Sequence, residues 1–234
     1  MEKTNRIIID SVSKKFMIGY IKNLGSLERF VSLFSGKEPR KLIHALKNVS
    51  FNVKSGEIVG IVGDNGSGKS TLLRIIAGIY FSDAGEITIN GRMVSLINLL
   101  VGLKERLSMK DNIFLCCSLF GLSQKEIKSR LHYIVEFSGL HNFLNTKIYQ
   151  FSEGMKQRLS FSIAVHCNPD ILLLDEVFEV GDEDFRKKSV IRINEIVKKG
   201  GSVVLVSHDM DIVEKHCDRI IYMDKGIVTR ERIL

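Results

Sequence analysis

Gly63-Asp64-Asn65-Gly66-Ser67-Gly68-Lys69-Ser70, followed by Thr71, fits the pattern G-x-x-x-x-G-K-[ST]. Glycines let a backbone wrap close to an anion where a Cβ would obstruct it. Amide N–H groups and the N-terminus of a following helix then face phosphate oxygens. In this reading Lys69 reaches the β and γ phosphates of a nucleotide and Ser70 ligates Mg²⁺. Further along, Ile171-Leu172-Leu173-Leu174 runs into Asp175-Glu176. An apolar strand ending in two acids delivers them to the carboxyl edge of a sheet, where open α/β folds bind ligands. Asp175 would hold the metal, directly or through water, and Glu176 would polarise an attacking water. Phe151-Ser152-Glu153-Gly154-Met155-Lys156-Gln157-Arg158 lies between these motifs, with Ser152 23 residues before Asp175. Ser152 can cap the next helix, and its hydroxyl and the first-turn amides would bind a γ-phosphate.

These groups need a scaffold, and the surrounding pattern supplies one. Residues 58–62 are apolar and β-branched, and residues 69–77 read as a helix ending at Gly78. Strand, glycine loop and helix in that order form the phosphate-loop arrangement. Strands are also expected at 7–12, near 46–53, and at 86–89 and 93–97, the last two flanking a turn at Asn90-Gly91 of the kind that closes hairpins. From about 105 to 165 the pattern is helical. Ser108 with Asp111 can cap one helix running to Gly121, and Ser123 with Glu126 forms a capping box for another, ended by Gly139. Strands return at 171–175, 202–207 and 220–223, with a helix near 185–199. Alternating strands and helices imply a parallel sheet with right-handed crossovers.

Composition narrows the class. The chain of 234 residues is 44% hydrophobic with two prolines, enough for a real core and too little proline for long disordered linkers. No apolar run reaches the roughly 18 residues of a membrane-spanning helix. Residues 1–6 are polar and charged, so no secretory signal is visible and a soluble, cytosolic chain is expected. Cys116, Cys117, Cys167 and Cys217 form no C-x-x-C pair and read as small core residues in a reducing compartment. The histidines show no metal-ligand spacing. Of the net charge of +7, residues 1–47 hold +6, from ten Lys/Arg against four Asp/Glu. Such a basic stretch can face nucleic acid, an anionic membrane surface, or only water.

The residues from Ser152 to Arg158 resemble the signature of the ATP-binding-cassette (ABC) family, usually Leu-Ser-Gly-Gly-Gln followed by Gln-Arg. The resemblance runs from about residue 7 to 226. It implies an α/β P-loop NTPase fold: an ABC ATPase core with an inserted helical subdomain at about 105–165 and an N-terminal antiparallel β region, one nucleotide-binding domain over residues 1–234. It also implies that Ser152 and Gly154 engage the ATP of a second copy, so that the working form is a homodimer of ATPase subunits. By the same resemblance His208 matches the switch histidine at the γ-phosphate, and Asp182 the aspartate of the loop that crosses the dimer interface. Asn98 takes the place of the glutamine that links Mg²⁺ to a membrane subunit. Phe16, with Tyr20 second, is the adenine-stacking aromatic. Two positions depart from the signature: Glu153 replaces a small residue and Met155 replaces glutamine. A carboxylate at Glu153 suits the helix dipole but repels a γ-phosphate unless it points away.

Ser152-Glu153-Gly154-Met155, Glu179-Val180-Gly181-Asp182, Thr88 to Arg92 and Asp111-Asn112-Ile113 resemble the polysaccharide-exporter branch, whose members move O-antigen, capsule or teichoic-acid polymers. The function implied is an ATP-hydrolysing subunit that drives export of a lipid-linked, O-antigen-like polysaccharide across the inner membrane. Its place would be peripheral, on the cytoplasmic face, beside an integral membrane permease that handles the polymer. Its ligands would be ATP and Mg²⁺. Some members add a C-terminal carbohydrate-binding domain; none is expected here. The alternative is an ABC ATPase of another role, associated with nucleic acid or exporting a different substrate. The long coiled-coil insertion of DNA-repair types and the paired cassettes of translation-factor types are absent from this sequence, so no nucleic-acid partner is expected.

Residues 26–36 have one more pattern. Ser26 can cap a helix and Gly36 can end it, while Leu27, Phe30, Val31 and Phe34 fall on one stripe. An amphipathic helix among basic neighbours is expected there, against the membrane subunit, the membrane surface or its own domain.

Overall fold

A computed structural model of the chain describes residues 4–18, 41–97, 102–175 and 182–234. The expected helix at 26–36, Tyr20, Asn98, Glu176 and residues 179–181 lie outside the described residues.

The strands form two sheets. The smaller is antiparallel, in the order β2 (Lys41–Lys54), β1 (Asn5–Ile18), β4 (Ala84–Ile89). The larger has six strands: β5 (Met93–Ser95), β6 (Ile171–Asp175), β7 (Ser202–Val206), β3 (Ile58–Val62), β8 (Arg219–Asp224) and β9 (Ile227–Ile233). Every pairing in it is parallel except β8 with β9. Helix α1 (Lys69–Ile76) follows β3. Helices α2 (Met109–Leu119), α3 (Gln124–Ser138) and α4 (Glu153–His166) lie between β5 and β6, α5 (Glu183–Lys198) links β6 to β7, and α6 (Met210–His216) links β7 to β8.

The apolar strand runs explain the layering. Strands β3 and β7 are buried at every residue and β6 at all but Asp175, as expected for a parallel sheet covered on both faces. Alternate residues point to opposite faces. Leu172, Leu174, Val203 and Leu205 join a core with Ile113, Ile134, Phe161 and Phe185. Ile171, Leu173, Val204 and Val206 join the other, with Leu72 and Ile76 of α1 and Ile7, Ile9 and Val12 of the antiparallel sheet. The helix signals also hold. Ser108 accepts from the Asp111 amide, Ser123 and Glu126 close a capping box, and Gly139 ends α3 at φ 69°.

One expectation needs correction. The turn at Asn90-Gly91 does not close a hairpin; β4 and β5 belong to different sheets. The chain crosses between them because Asn90 is claimed by β1 and Gly91 by Asp170, just before β6. Asn90 N donates to Arg6 O and its side-chain amide to Asn5 O. A Cβ on Gly91 (φ 127°) would sit 2.6 Å from the Cβ of Asp170, whose carboxylate accepts from Arg92 N. Beyond the strand expected at 220–223 the structure adds another: β9 pairs back on β8 through Lys225 and Gly226, both at positive φ, the conformation of a tight hairpin turn.

Candidate functional site

The glycine loop joins β3 to α1 and is wedged by parts of the chain distant in sequence. At Gly63 (φ 152°) a Cβ would lie 2.1 Å from Met223 O, and at Gly68 (φ 106°) 2.6 Å from Ala45 O. Both positions therefore exclude any side chain. The β8–β9 turn buttresses the loop: Gly226 N donates to Ser67 O at 2.9 Å, and Lys47 N donates to Gly226 O at 2.8 Å. Lys69 is 6% exposed and folds back over the loop, donating to Gly63 O at 2.7 Å and Asp64 O at 2.9 Å. Two carbonyl dipoles take two of its protons without cancelling its charge, so a buried cation stands beside the loop amides.

Sheet register brings the other polar groups to the same edge. Asp175 pairs with Val206, and Val206 pairs with Ile61, one strand further over and two residues before Gly63. Ser207 N donates to Ile61 O, and its hydroxyl accepts from Asp209 N, which leaves His208 exposed at that edge. Residues 63–71, Asp175 and His208 thus gather at the carboxyl ends of β3, β6 and β7. Ser70 is half-buried in the first turn of α1. A hydroxyl and a carboxylate are the hard oxygen donors Mg²⁺ prefers. Among the described residues no three His, Cys, Asp or Glu side chains cluster as metal ligands.

Phe16 lies beside the loop through β2: its partner Ile43 is two residues from Ala45, whose carbonyl abuts Gly68. The Phe16 ring meets the Tyr80 ring edge-on at 5.6 Å, and the Lys14 ammonium lies 5.5 Å from its centroid. Asp83 holds that ammonium at 2.9 Å and also accepts from Lys15 N. These bonds, the Lys14 side chain first, hold the Asp83 carboxyl below the usual carboxylate range. Tyr80 and Asp83 were not foreseen; only strand pairing brings them to Phe16.

Ser152 and Gly154 sit elsewhere. Both are exposed at the start of α4, where Ser152 accepts from Met155 N at 3.2 Å. Among the described residues no hydrogen bond or ion pair joins them to the glycine loop. Glu153 faces Lys156 at 4.0 Å, and Lys156 also meets Glu105 at 3.4 Å. A cation therefore stands beside the carboxylate whose charge the sequence left unbalanced. Asp182 caps α5, accepting from Phe185 N at 2.9 Å and from the Arg158 guanidinium. The amide first, then the guanidinium, holds its carboxyl below the usual range. Arg158 as its partner was not foreseen from the sequence.

A family profile described as ABC transporter matches residues 46–179. The chain belongs to the ABC transporter family. The cassette is 37% identical to the O-antigen export system ATP-binding protein RfbB of Myxococcus xanthus, over 98% of this chain and 54% of that protein. It is 40% identical to the teichoic acids export ATP-binding protein TagH of Listeria innocua, over 97% of this chain and 66% of that protein. It thus spans about half to two thirds of these relatives. Among solved structures it resembles a dimeric ATP-binding cassette in a post-hydrolysis state bound to ADP and Pi, with TM-score 0.77 and 28% identity over 97% of this chain and 98% of the other. An ATP binding subunit of an ABC transporter gives TM-score 0.80 and 25% identity over 97% and 90% of the two chains. The fold is the P-loop ABC ATPase fold expected from the sequence. Among the described residues no helix is long and apolar enough to cross a membrane.

Proposed function

We propose that this cassette binds and hydrolyses ATP as the motor of a polysaccharide exporter, working as a homodimer against an integral membrane permease on the cytoplasmic face of the membrane. The observation that carries the reading is its similarity, over nearly its whole length, to O-antigen and teichoic-acid export ATP-binding proteins. The polymer class proposed is a lipid-linked polysaccharide that the permease handles.

Lys69 and the loop amides would bind the β and γ phosphates, and Phe16 would stack on the adenine. Ser70 and Asp175, with Asn98, would hold Mg²⁺, which when bound neutralises charge on the phosphates. Glu176 would orient the attacking water, and His208 would contact the γ-phosphate. The exposed Ser152 and Gly154 would close the site of a second copy, with the first-turn amides of α4 facing its γ-phosphate.

The test is turnover by the purified cassette with its membrane subunit. Glu176→Gln keeps size and hydrogen bonding but removes charge. It should retain ATP and lower turnover at least about 10²-fold, the scale of a lost general base. Near-normal hydrolysis would refute the assignment. Co-purification with nucleic acid instead of a membrane protein would overturn the export reading while leaving the ATPase standing.

A further inference from the structure

The contact between Asp182 and Arg158 has a geometry that the family resemblance does not supply. By resemblance Asp182 reaches across to a second copy. In this chain both of its carboxylate oxygens are engaged at home, one by Phe185 N and the other by Arg158 Nη2. Arg158 is itself held twice. Its guanidinium carbon lies 5.4 Å from the centroid of the Phe185 ring. Phe185 is 1% exposed and packs edge-on against Phe137 and Phe161 at 5.6 and 5.8 Å. Lys188 adds a second cation, 4.9 Å from the centroid of Phe185 and 5.0 Å from that of Phe137.

We propose that Arg158 is a positioning residue for ATP hydrolysis, fixing Asp182 within its own subunit so that α4 and the start of α5 move as one body. The inference rests on the reading above, in which the Ser152 end of α4 meets ATP and the segment entering α5 carries Glu176. Ser152 and Arg158 lie on one helix or at its cap, and a helix transmits displacement along its axis with little loss. Asp182 is exposed on one side, so its charge pair alone contributes little to stability. What matters is direction: a cap bond, an ion pair and a buried ring define where α5 begins relative to α4. An ATP-engaged Ser152 would then carry Asp182 with it.

A double-mutant cycle on steady-state turnover and ATP titration tests this, using the cassette with its membrane subunit. Arg158→Ala and Asp182→Asn should each lower kcat about tenfold, the scale of one charge-assisted hydrogen bond, with KM for ATP shifted less than about twofold. Asparagine caps helices as well as aspartate, so Asp182→Asn keeps α5 and loses only the ion pair. The double variant should be no slower than either single, because each removes the same contact. Arg158→Lys should recover part of the rate, and Arg158→Gln replaces Arg158→Ala if the latter does not fold. Unchanged kcat in Asp182→Asn overturns the proposal. So do single effects that multiply in the double variant, which would mean that Asp182 acts on something else, such as the second copy. Lys69→Ala is the control: turnover equal to wild type there overturns the nucleotide-site reading itself, whereas its loss beside a normal Asp182→Asn overturns only the role of Arg158.

Discussion

The glycine loop and the start of α4 are the two ends of the proposed site, and they are built in opposite ways. The loop is clamped from outside, by Ala45 of β2, Met223 of β8 and the β8–β9 turn at Gly226. The start of α4 is made by its own sequence, with Ser152 capping Met155 N and space around Gly154 in which an added Cβ would meet nothing within 4 Å. A group clamped by the core is preorganised for a ligand before it arrives. A group finished locally and left exposed can meet a second chain without unfolding its own. This division suits a site completed by two subunits.

The largest expected effect strikes the clamped end. Gly63→Ala combines a left-handed φ with a collision against Met223 O, and should weaken ATP binding by roughly 100-fold. Gly154→Ala should leave monomer folding and ATP affinity unchanged and reduce only ATP-dependent dimerisation. Equal losses of ATP affinity in the two variants, measured by titration on the isolated cassette, would erase the contrast.

The second effect concerns the buried end of α4. His166 donates through Nδ1 to Ser162 O and lies edge-on to Phe137 at 5.1 Å, and burial pushes its pKa down to about 4. The unfolded chain therefore takes up a proton below about pH 6.5 that the folded chain refuses until about pH 4. Stability is complete above that window and falls as pH drops through it, by about 2 kcal/mol at pH 5. Melting temperatures of wild type and His166→Gln should converge as pH is lowered from 7.5 to 5. Parallel curves would show that the buried end is not tuned in this way.

Ser152→Ala comes third. Loss of the cap should cost about 1 kcal/mol, read as a fall of a few degrees in Tm, together with loss of ATP-dependent dimerisation. A dimer that survives would return Ser152 to a purely local role. The smallest effect is at Glu153. With Lys156 at 4.0 Å partly offsetting its charge, Glu153→Gly should change dimer affinity by less than about threefold in either direction. A tenfold gain would mean that the carboxylate still opposes the γ-phosphate.

Much of the candidate site was legible in residue order because it depends on local pattern. A complete phosphate-loop motif, an apolar strand ending in Asp175 and the Ser123–Glu126 capping box each span a few residues whose physics is settled among neighbours. Periodicity gave the parallel core for the same reason: buried strands must be apolar throughout. What sequence order could not show was which distant groups would meet. Asn90-Gly91 reads as a hairpin turn until Asn5, Arg6 and Asp170 claim it, and β9 needed its partner β8. Register put Asp175 and His208 level with the loop and brought Tyr80 to Phe16, and packing alone put Arg158 on Asp182. Local bonds are encoded within a turn of chain, whereas a contact between residues far apart exists only once the core has closed the chain between them.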